Sequence, residues 1–507
     1  MGIEGVTDPL SPAWWLNRLA QRLWWPDHQS RLLLLDSWYT GTPPMPFVKP
    51  EVREAIVALL GLSRSNFASL IVEALRERVI PVGLRAAGDG LDTDDQKGWD
   101  LWQDAGLDVT SADVHRWMLT TGRSYAIVNA VDPETGAPTV TYEPPTHAIT
   151  EQDPEMPQRT LAGLKFMHNP IVARDLLYLY LPGEIWTAWR PCPVEGQCSY
   201  SFAPEAWSWN SGPDDVPIVQ KLPPALAKAV PMVEFVNYGG GVGEFELHMD
   251  LLGRINHTIL QRVIISVMQA FRQRAIKGLP QTYPVGHAKA GQQIDYSEIF
   301  VADPGAFWQL PADAEMWESA QGDINGMLSA AKDDIMHLAA VTRTPMHVLM
   351  PEGANQSAEG AALAREGLVF KADDRIKRLS VPWARVLTLA NLWAGRPDPM
   401  VRPAQLLWEP PERRSLAERG AAAAQAKDVP WRTKMEKIWE FTPSDVDRME
   451  GERADDQILA ARTSLNIAAQ ASSQVEVPAP IAGAPTPPAP PKPPPAAPPP
   501  APAGAGG

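Results

Sequence analysis

The stretch ELHMDLLGRINHTILQRVIISVMQAFR, residues 246–272, decides the fold. Leu247, Leu251, Ile255, Ile259, Val263, Val267 and Ala270 recur at almost constant steps of four, the spacing of a helix with one apolar face. At 1.5 Å per residue, about 27 residues make an unbroken rod of roughly 40 Å. Gly278-Leu279-Pro280 stops it. About 40 residues of turn and strand character follow, through Ile299-Phe300-Val301, Pro304-Gly305 and Phe307-Trp308-Gln309-Leu310-Pro311. A second helix then starts with Asp323 as N-cap and carries Ile324, Met327, Leu328, Ala331, Ile335 and Leu338 to about Thr342. Two helices with a compact insertion between them form a spoke, and spokes repeated around an axis make a tube.

The chain on either side reads as α+β. Towards the N-terminus, Trp14, Trp15, Trp24, Trp25 and Trp38 crowd a helical zone, with helices expected over 30–38, 50–60 and 65–78. Residues 125–131 and 138–142 read as two strands around the turn sequence 132–137, and 176–181 with 184–190 as a hairpin around Pro182-Gly183. A helix over 113–121 ends at Gly122, and 231–237 is a further strand. Beyond Thr342-Arg343-Thr344-Pro345 comes a polar stretch to Ser357. A long helix follows, in which Pro382 predicts a kink or a restart. Residues 415–427, 430–440 and 443–461 read as three more helices. Of the last 30 residues, 14 are proline, a composition that cannot bury a core and predicts a disordered, partly polyproline II tail.

Composition narrows the function. The 507 residues are 45% hydrophobic, enough for a substantial core, yet no apolar run approaches the roughly 20 residues of a membrane span. No basic-then-apolar leader opens the chain. The net charge of −15 disfavours tight, general DNA binding, because neutralising phosphates needs a basic excess. It permits a surface that DNA slides past. Cys192 and Cys198 are too few for a disulfide framework and lack the C-x-x-C spacing of a metal site, so two reduced thiols in a cytosolic protein are expected.

The search for chemistry is negative. The dipeptide Gly-Lys does not occur, so there is no Walker phosphate loop, which argues strongly against a P-loop ATPase. H-E-x-x-H, G-x-S-x-G and EF-hand patterns are absent. Gly239-Gly240-Gly241-Val242-Gly243 fails G-x-G-x-x-G and is expected to be a flexible hinge. Asp89, Asp92, Asp94 and Asp95 are spaced as a solvated loop, and His168-Asn169 lacks the rest of a nuclease site. His337 and His347 are expected in structural roles, and the 19 tryptophans in packing or subunit contacts. No enzyme activity, cofactor or metal is expected.

Several blocks together carry a resemblance. They are residues 35–46 (LDSWYTGTPPMP), 65–78 followed by Val82-Gly83-Leu84, Val233-Glu234-Phe235-Val236-Asn237 leading to 249–256 (MDLLGRIN), and 339–349 (AAVTRTPMHVL) followed by 353–360 (GANQSAEG). In order and spacing, from about Leu16 to Ala460, they resemble the phage portal proteins, in the branch common among siphophages of actinobacteria. That resemblance implies a non-enzymatic ring, typically of twelve subunits, at one capsid vertex. DNA would pass through it, the terminase large subunit and then the head-tail connector would dock on it, and major capsid and scaffolding proteins would surround it. The location would be the virion, after assembly in host cytoplasm, without a membrane.

The resemblance further implies an α/β wing with the N-terminal region over 1–245, a stem helix over 246–278, a β-rich clip over 279–320 and a second stem helix over 321–342. A tunnel loop (343–357), a long kinked helix returning to the wing (358–409), a helical crown (410–470) and a disordered Pro-rich tail (471–507) would complete the chain. Glu246, Asp250, Arg254, Arg262, Asp333 and Asp334 would line the DNA channel, the acids repelling phosphates, while Arg254, Arg262, Arg272 and Arg274 would give weak local contacts or pair with acids on a neighbouring subunit. Arg343, Thr344, His347, Asn355, Gln356 and Ser357 would form the tunnel loop, and Phe300, Phe307 and Trp308 the docking surface of the clip. The alternatives are another capsid or scaffold assembly protein, or a DNA-processing packaging enzyme.

Overall fold

The computed structural model describes residues 2–44, 59–85, 96–192, 202–212, 216–270, 274–296, 314–318, 324–350, 358–395, 405–412 and 414–473. The chain divides into two units, 1–444 and 445–507.

The first unit opens with α1 (Pro12–Leu23), capped by the Ser11 hydroxyl, and α2 (Pro26–Tyr39). Proline at the first position of each helix costs no hydrogen bond there and presets φ. Then come α3 (Phe67–Arg76), β1 (Pro81–Arg85), α4 (Gln96–Asp104) and α5 (Leu107–Thr121). Gly122 closes α5 in the left-handed conformation, φ 88°. The strands β2 (Arg123–Val131), β3 (Pro138–Glu143), β4 (Ala148–Gln152), β5 (Thr160–Asn169), β6 (Arg174–Leu181) and β7 (Glu184–Pro191) follow as successive antiparallel elements. Short β8 (Ser208–Trp209) and β9 (Val219–Lys221) flank β7, and β10 (Met232–Val236) returns to pair with β2.

Two sheets result. One has the order β10-β2-β3, the other β4-β5-β6-β7-β8 with β9 also on β7. Each sheet has its own core. Helix α1 lays Trp15, Leu16, Leu19 and Leu23 on Leu164, Phe166, Leu177 and Leu179 of the larger sheet, with Trp24, Trp207 and Trp209 closing the layer. The smaller sheet, α3, α4 and α5 pack with Trp102, Phe235 and Trp383 at the centre of the larger core. Trp15, Trp24, Trp38, Trp102, Trp207, Trp209 and Trp383 are buried in packing as expected, whereas Trp25 and Trp317 are exposed. Residues 148–152 and 160–169 were not expected as strands. Their polar and apolar residues alternate only in part, and their burial does not alternate regularly along the strands.

Next come α6 (Met249–Ala270), β11 (Arg274–Lys277), β12 (Glu315–Glu318) and α7 (Ile324–Thr342). Helix α6, the expected stem helix, begins three residues later than its expected start at Glu246, because 246–248 form a 3-10 turn. Strands β11 and β12 pair antiparallel, Arg274 opposite Glu318 and Lys277 opposite Glu315, so the chain leaves along α6 and returns along α7. The short α8 (Met346–Leu349) leads to α9 (Ala358–Trp393), which runs through Pro382 without a break. Strand β13 (Gln405–Trp408) pairs with β1, and α10 (Leu416–Gln425) starts on a capping box of Ser415 and Glu418, ahead of α11 (Trp431–Lys437). The helix expected over 50–60, the Asp323 cap, the acidic residues 89–95 and the Pro-rich tail lie wholly or largely outside the described residues.

The helix α12 (Pro443–Ser473) supplies the described part of the second unit. It extends well beyond the expected end at 461, because 462–473 hold no proline or glycine and are rich in alanine.

Candidate channel site and the root of the stem

The residues 237–246 join β10 to α6, the helix expected as a stem, and they are pinned rather than hinged. Gly239, Gly240 and Gly241 all have positive φ, which glycine adopts without steric cost. Gly241 packs backbone to backbone on Gly122, where an added Cβ on Gly122 would overlap the Gly241 carbonyl oxygen. Arg31 donates to the carbonyls of Thr121 and Gly241, both at 3.1 Å, and Arg123 to that of Gly240 at 2.9 Å. Asn237 Nδ2 donates to the Val242 carbonyl at 2.8 Å. The flexible hinge expected here is therefore corrected: the glycines allow close approach.

The root carries a buried charge cluster. The Glu244 side chain is fully buried, 2.7 Å from both Lys371 Nζ and Arg375 Nε of α9, and it also accepts from Asn237 Nδ2. Burial alone would raise its pKa, but Lys371 and Arg375 outweigh that and hold the carboxyl below the ordinary range. Arg375 stacks 4.4 Å from the Tyr238 ring and pairs with Asp374. One carboxylate thus ties the start of the stem to the long helix α9. A second tie is Asn256 of α6, whose Oδ1 accepts from the Ser65 backbone at 3.0 Å and hydroxyl at 2.5 Å.

The expected channel residues divide. Glu246 is bonded by Arg31 through both oxygens at 2.6 Å and accepts from the Gly243 backbone at 2.8 Å, so it fixes the root. Arg254 on α6 bonds both oxygens of Asp334 on α7, at 3.0 and 2.8 Å, and clips the outgoing helix to the returning one. Asp250 and Asp333 are exposed, and Arg262 is half-buried on α6. Arg343 is exposed in the left-handed conformation, φ 54°, just past the end of α7. Thr344 is buried and accepts from the Thr342 hydroxyl at 3.0 Å, while His347 is exposed on α8. Asn355, Gln356, Ser357, Phe300, Phe307, Trp308 and Arg272 lie outside the described residues, and nothing of the Arg274 side chain is described.

Sequence reasoning did not find Arg31, Ser65, Glu244, Lys371 or Arg375. Their partners lie far along the chain, and no local spacing announces them. One further expectation is corrected: Cys192 is disulfide-bonded, not a reduced thiol, and Cys198 is the only other cysteine in the chain.

No protein-family profile matches the chain. It is 24% identical to the portal protein of Mycobacterium phage D29 over 385 residues, which cover 72% of each chain. The chain is similar to a phage portal protein. The resemblance to phage portal proteins read from the sequence therefore stands. Two solved structures also align: a virion of a native gene transfer agent particle (TM-score 0.40, 14% identity, 81% of this chain and 93% of that one) and the neck of a native gene transfer agent particle computed with C12 symmetry (0.39, 12%, 80% and 98%). Among the described residues, no helix is long and apolar enough to cross a membrane.

Proposed function

We propose that this chain is the portal subunit of a tailed double-stranded DNA phage. Twelve copies form a ring at one capsid vertex, without catalytic activity of their own. The ring passes DNA inward during packaging and outward during ejection. It docks the terminase large subunit and later the head-tail connector, and it sits among capsid and scaffolding proteins.

The observation that carries this reading is the outgoing and returning helix pair, α6 and α7, rooted in an α+β body, in a chain similar to a portal protein. An α6 of 22 residues spans about 33 Å, long enough to line a channel wall. The ring gains support from α12. Ile458 and Leu465 are 54% and 68% exposed, Leu459 and Ile467 64% and 61%. At 100° per residue, Ile458 and Leu465 share one side, and Ile467 lies about 180° away. A helix apolar on opposite sides fits a position with a neighbour on each, as a closed ring supplies.

The stem charges fit a channel that neither grips nor traps DNA. Arg254 and Asp334 neutralise one another, and exposed Asp250 and Asp333 repel phosphate. Arg343 is a cation at the start of the loop nearest the axis. Negative-stain electron microscopy with mass photometry tests the assembly. Rings with a central hole and a mass near twelve times 55.5 kDa are expected. Absence of rings from both recombinant and virion-derived protein would overturn the reading.

A further inference from the structure

At the far end of the six-stranded sheet, three strands bring together side chains that nothing in the stem or its root uses. His168 of β5 stands directly opposite Asp175 of β6, and Asp175 opposite Arg190 of β7. Cys192 follows β7 immediately, its backbone N–H bonded to the Ala173 carbonyl at 2.9 Å. One donor atom each from His168, Asp175 and Cys192 lies within 4.8 Å of the others. Asp175 is fully buried, Cys192 is buried and His168 is half-buried. Cys192 is disulfide-bonded, so its sulfur is not a thiolate.

We propose that reduction of this disulfide converts the His168–Asp175–Cys192 corner into a binding site for a zinc-class divalent cation. Bond lengths of about 2.0–2.3 Å place the donor atoms of a tetrahedral zinc about 3.3–3.8 Å apart. To meet that, the widest separation, up to 4.8 Å, closes by about 1 Å, and the 2.9 Å His168–Asp175 contact opens by about half that. Imidazole with thiolate selects zinc-class ions over magnesium or calcium, which prefer oxygen. His168 Nδ1 lies 2.9 Å from Asp175 Oδ1, and a cation would replace the proton shared there. Arg190 holds the other oxygen, Oδ2, at 2.9 Å and is itself seated 4.7 Å from the Trp207 ring. It therefore orients the carboxylate as outer partners of a metal ligand do. Asp175 and a Cys192 thiolate supply two negative charges, matching the cation. Three protein ligands leave a fourth position for water.

The chemistry balances. Two small-molecule thiols are oxidised to their disulfide, and the protein disulfide takes up the two electrons and two protons. Cys192 then releases its proton to solvent as the metal binds. The sequence of events suits a protein that meets reducing and oxidising surroundings in turn, but the site stands on its own geometry and not on the ring reading.

The test uses the full-length protein and cobalt(II) as the probe, with a phosphine as reductant. Reduced wild type is expected to bind one cobalt per chain, with tetrahedral d–d bands and thiolate-to-cobalt charge-transfer absorption. Oxidised wild type is expected to show neither. Cys198→Ser, which leaves Cys192 as a thiol, should show both without reductant. Cys192→Ser and His168→Gln should each weaken binding at least about tenfold, and zinc should raise the melting temperature of the reduced wild type but not of Cys192→Ser. The proposal is overturned if reduced wild type and Cys198→Ser bind cobalt no more tightly than Cys192→Ser. It is equally overturned if His168→Gln leaves the spectrum and affinity unchanged; the corner is then an ion pair beside a disulfide and nothing more.

Discussion

Replacing Glu244 by glutamine keeps the shape of the stem root and removes its only fully buried anion. In the native protein this carboxylate faces Lys371 and Arg375, whose side chains are about one-tenth exposed or less. Taking away one partner leaves the others charged in a poorly solvated place, which costs about 3–5 kcal/mol for a buried ion pair. Arg375 keeps its bond to Asp374, so the lower half of that range is expected, mostly from Lys371. Chemical denaturation read by tryptophan fluorescence measures the loss, and hydrogen exchange locates it. Amides of 237–250 should exchange faster, while those of the six-stranded sheet should not change. A triple variant, Glu244→Leu with Lys371→Met and Arg375→Met, should recover most of the stability, because no charge is then stranded. The pH dependence follows from the depressed carboxyl. Its contribution is present above the unfolded value of 4.5 and is lost as pH falls through the lower folded value, and Glu244→Gln should abolish that acid sensitivity. A loss below about 1 kcal/mol for Glu244→Gln, in a variant that still folds, would refute the view that this cluster fixes the stem.

Four further outcomes are expected. Burial pushes the His115 imidazole down to about 3, and its Nε2 accepts from Trp383 Nε1 at 2.9 Å. Stability should therefore be full above the unfolded value of 6.5 and fall as pH drops towards 3, by up to about 1.4 kcal/mol per pH unit; His115→Gln should flatten that slope in pH-dependent denaturation. Gly122→Ala forces a side chain into φ 88° and against the Gly241 carbonyl, so it should cost at least the roughly 1–3 kcal/mol of such backbone strain, read as a lower denaturation midpoint. Ile458→Asp with Leu465→Asp should lower the ring fraction in mass photometry without changing the melting of the body, since both side chains are exposed in the single chain. Asp250→Lys with Asp333→Lys should slow in vitro packaging by letting the channel hold phosphate, and packaging at the normal rate would remove the repulsive role of these two acids. Glu246→Lys is not a fair probe of the same idea, because it also breaks the Arg31 clamp at the root.

Periodicity made the helices legible. The four-residue row from Leu247 announced α6, and Pro182-Gly183 and the turn at 132–137 announced their hairpins. These signals are local: a few neighbouring residues carry them, and burial on one face enforces them. The larger sheet was half legible. Strands β6 and β7 carry aromatic and β-branched residues, whereas β4 and β5 mix polar side chains into both faces. The glycines of 239–243 were misread for a physical reason. The sequence shows that a backbone can bend but not what stands against it, and Gly122, more than 100 residues earlier, is what stands there. The disulfide of Cys192 was missed because two cysteines six positions apart are compatible with either oxidation state.

The charges of the stem show most clearly why a candidate site cannot be read from residue type alone. The sequence places four acids and two arginines on the channel wall, the acids to repel phosphate and the arginines to touch it weakly or to pair with a neighbouring subunit. In the fold, Glu246 is taken by Arg31 from a helix over 200 positions away, and Arg254 and Asp334 are taken by each other. Pairing of this kind removes the field that the single residues would project, leaving Asp250 and Asp333 as the exposed acids of the group. In the proposed channel, the Arg254–Asp334 pair would present DNA with a short-range dipole, and the net charges would be those of Asp250 and Asp333. That arrangement would lower the barrier between successive phosphate positions in such a channel, since a moving polyanion would neither gain nor lose a strong ion pair at each step. The buried charges lie instead in the segment before α6, where Glu244 is held by Lys371 and Arg375 and Glu246 by Arg31, and where losing one partner of Glu244 strands a buried charge.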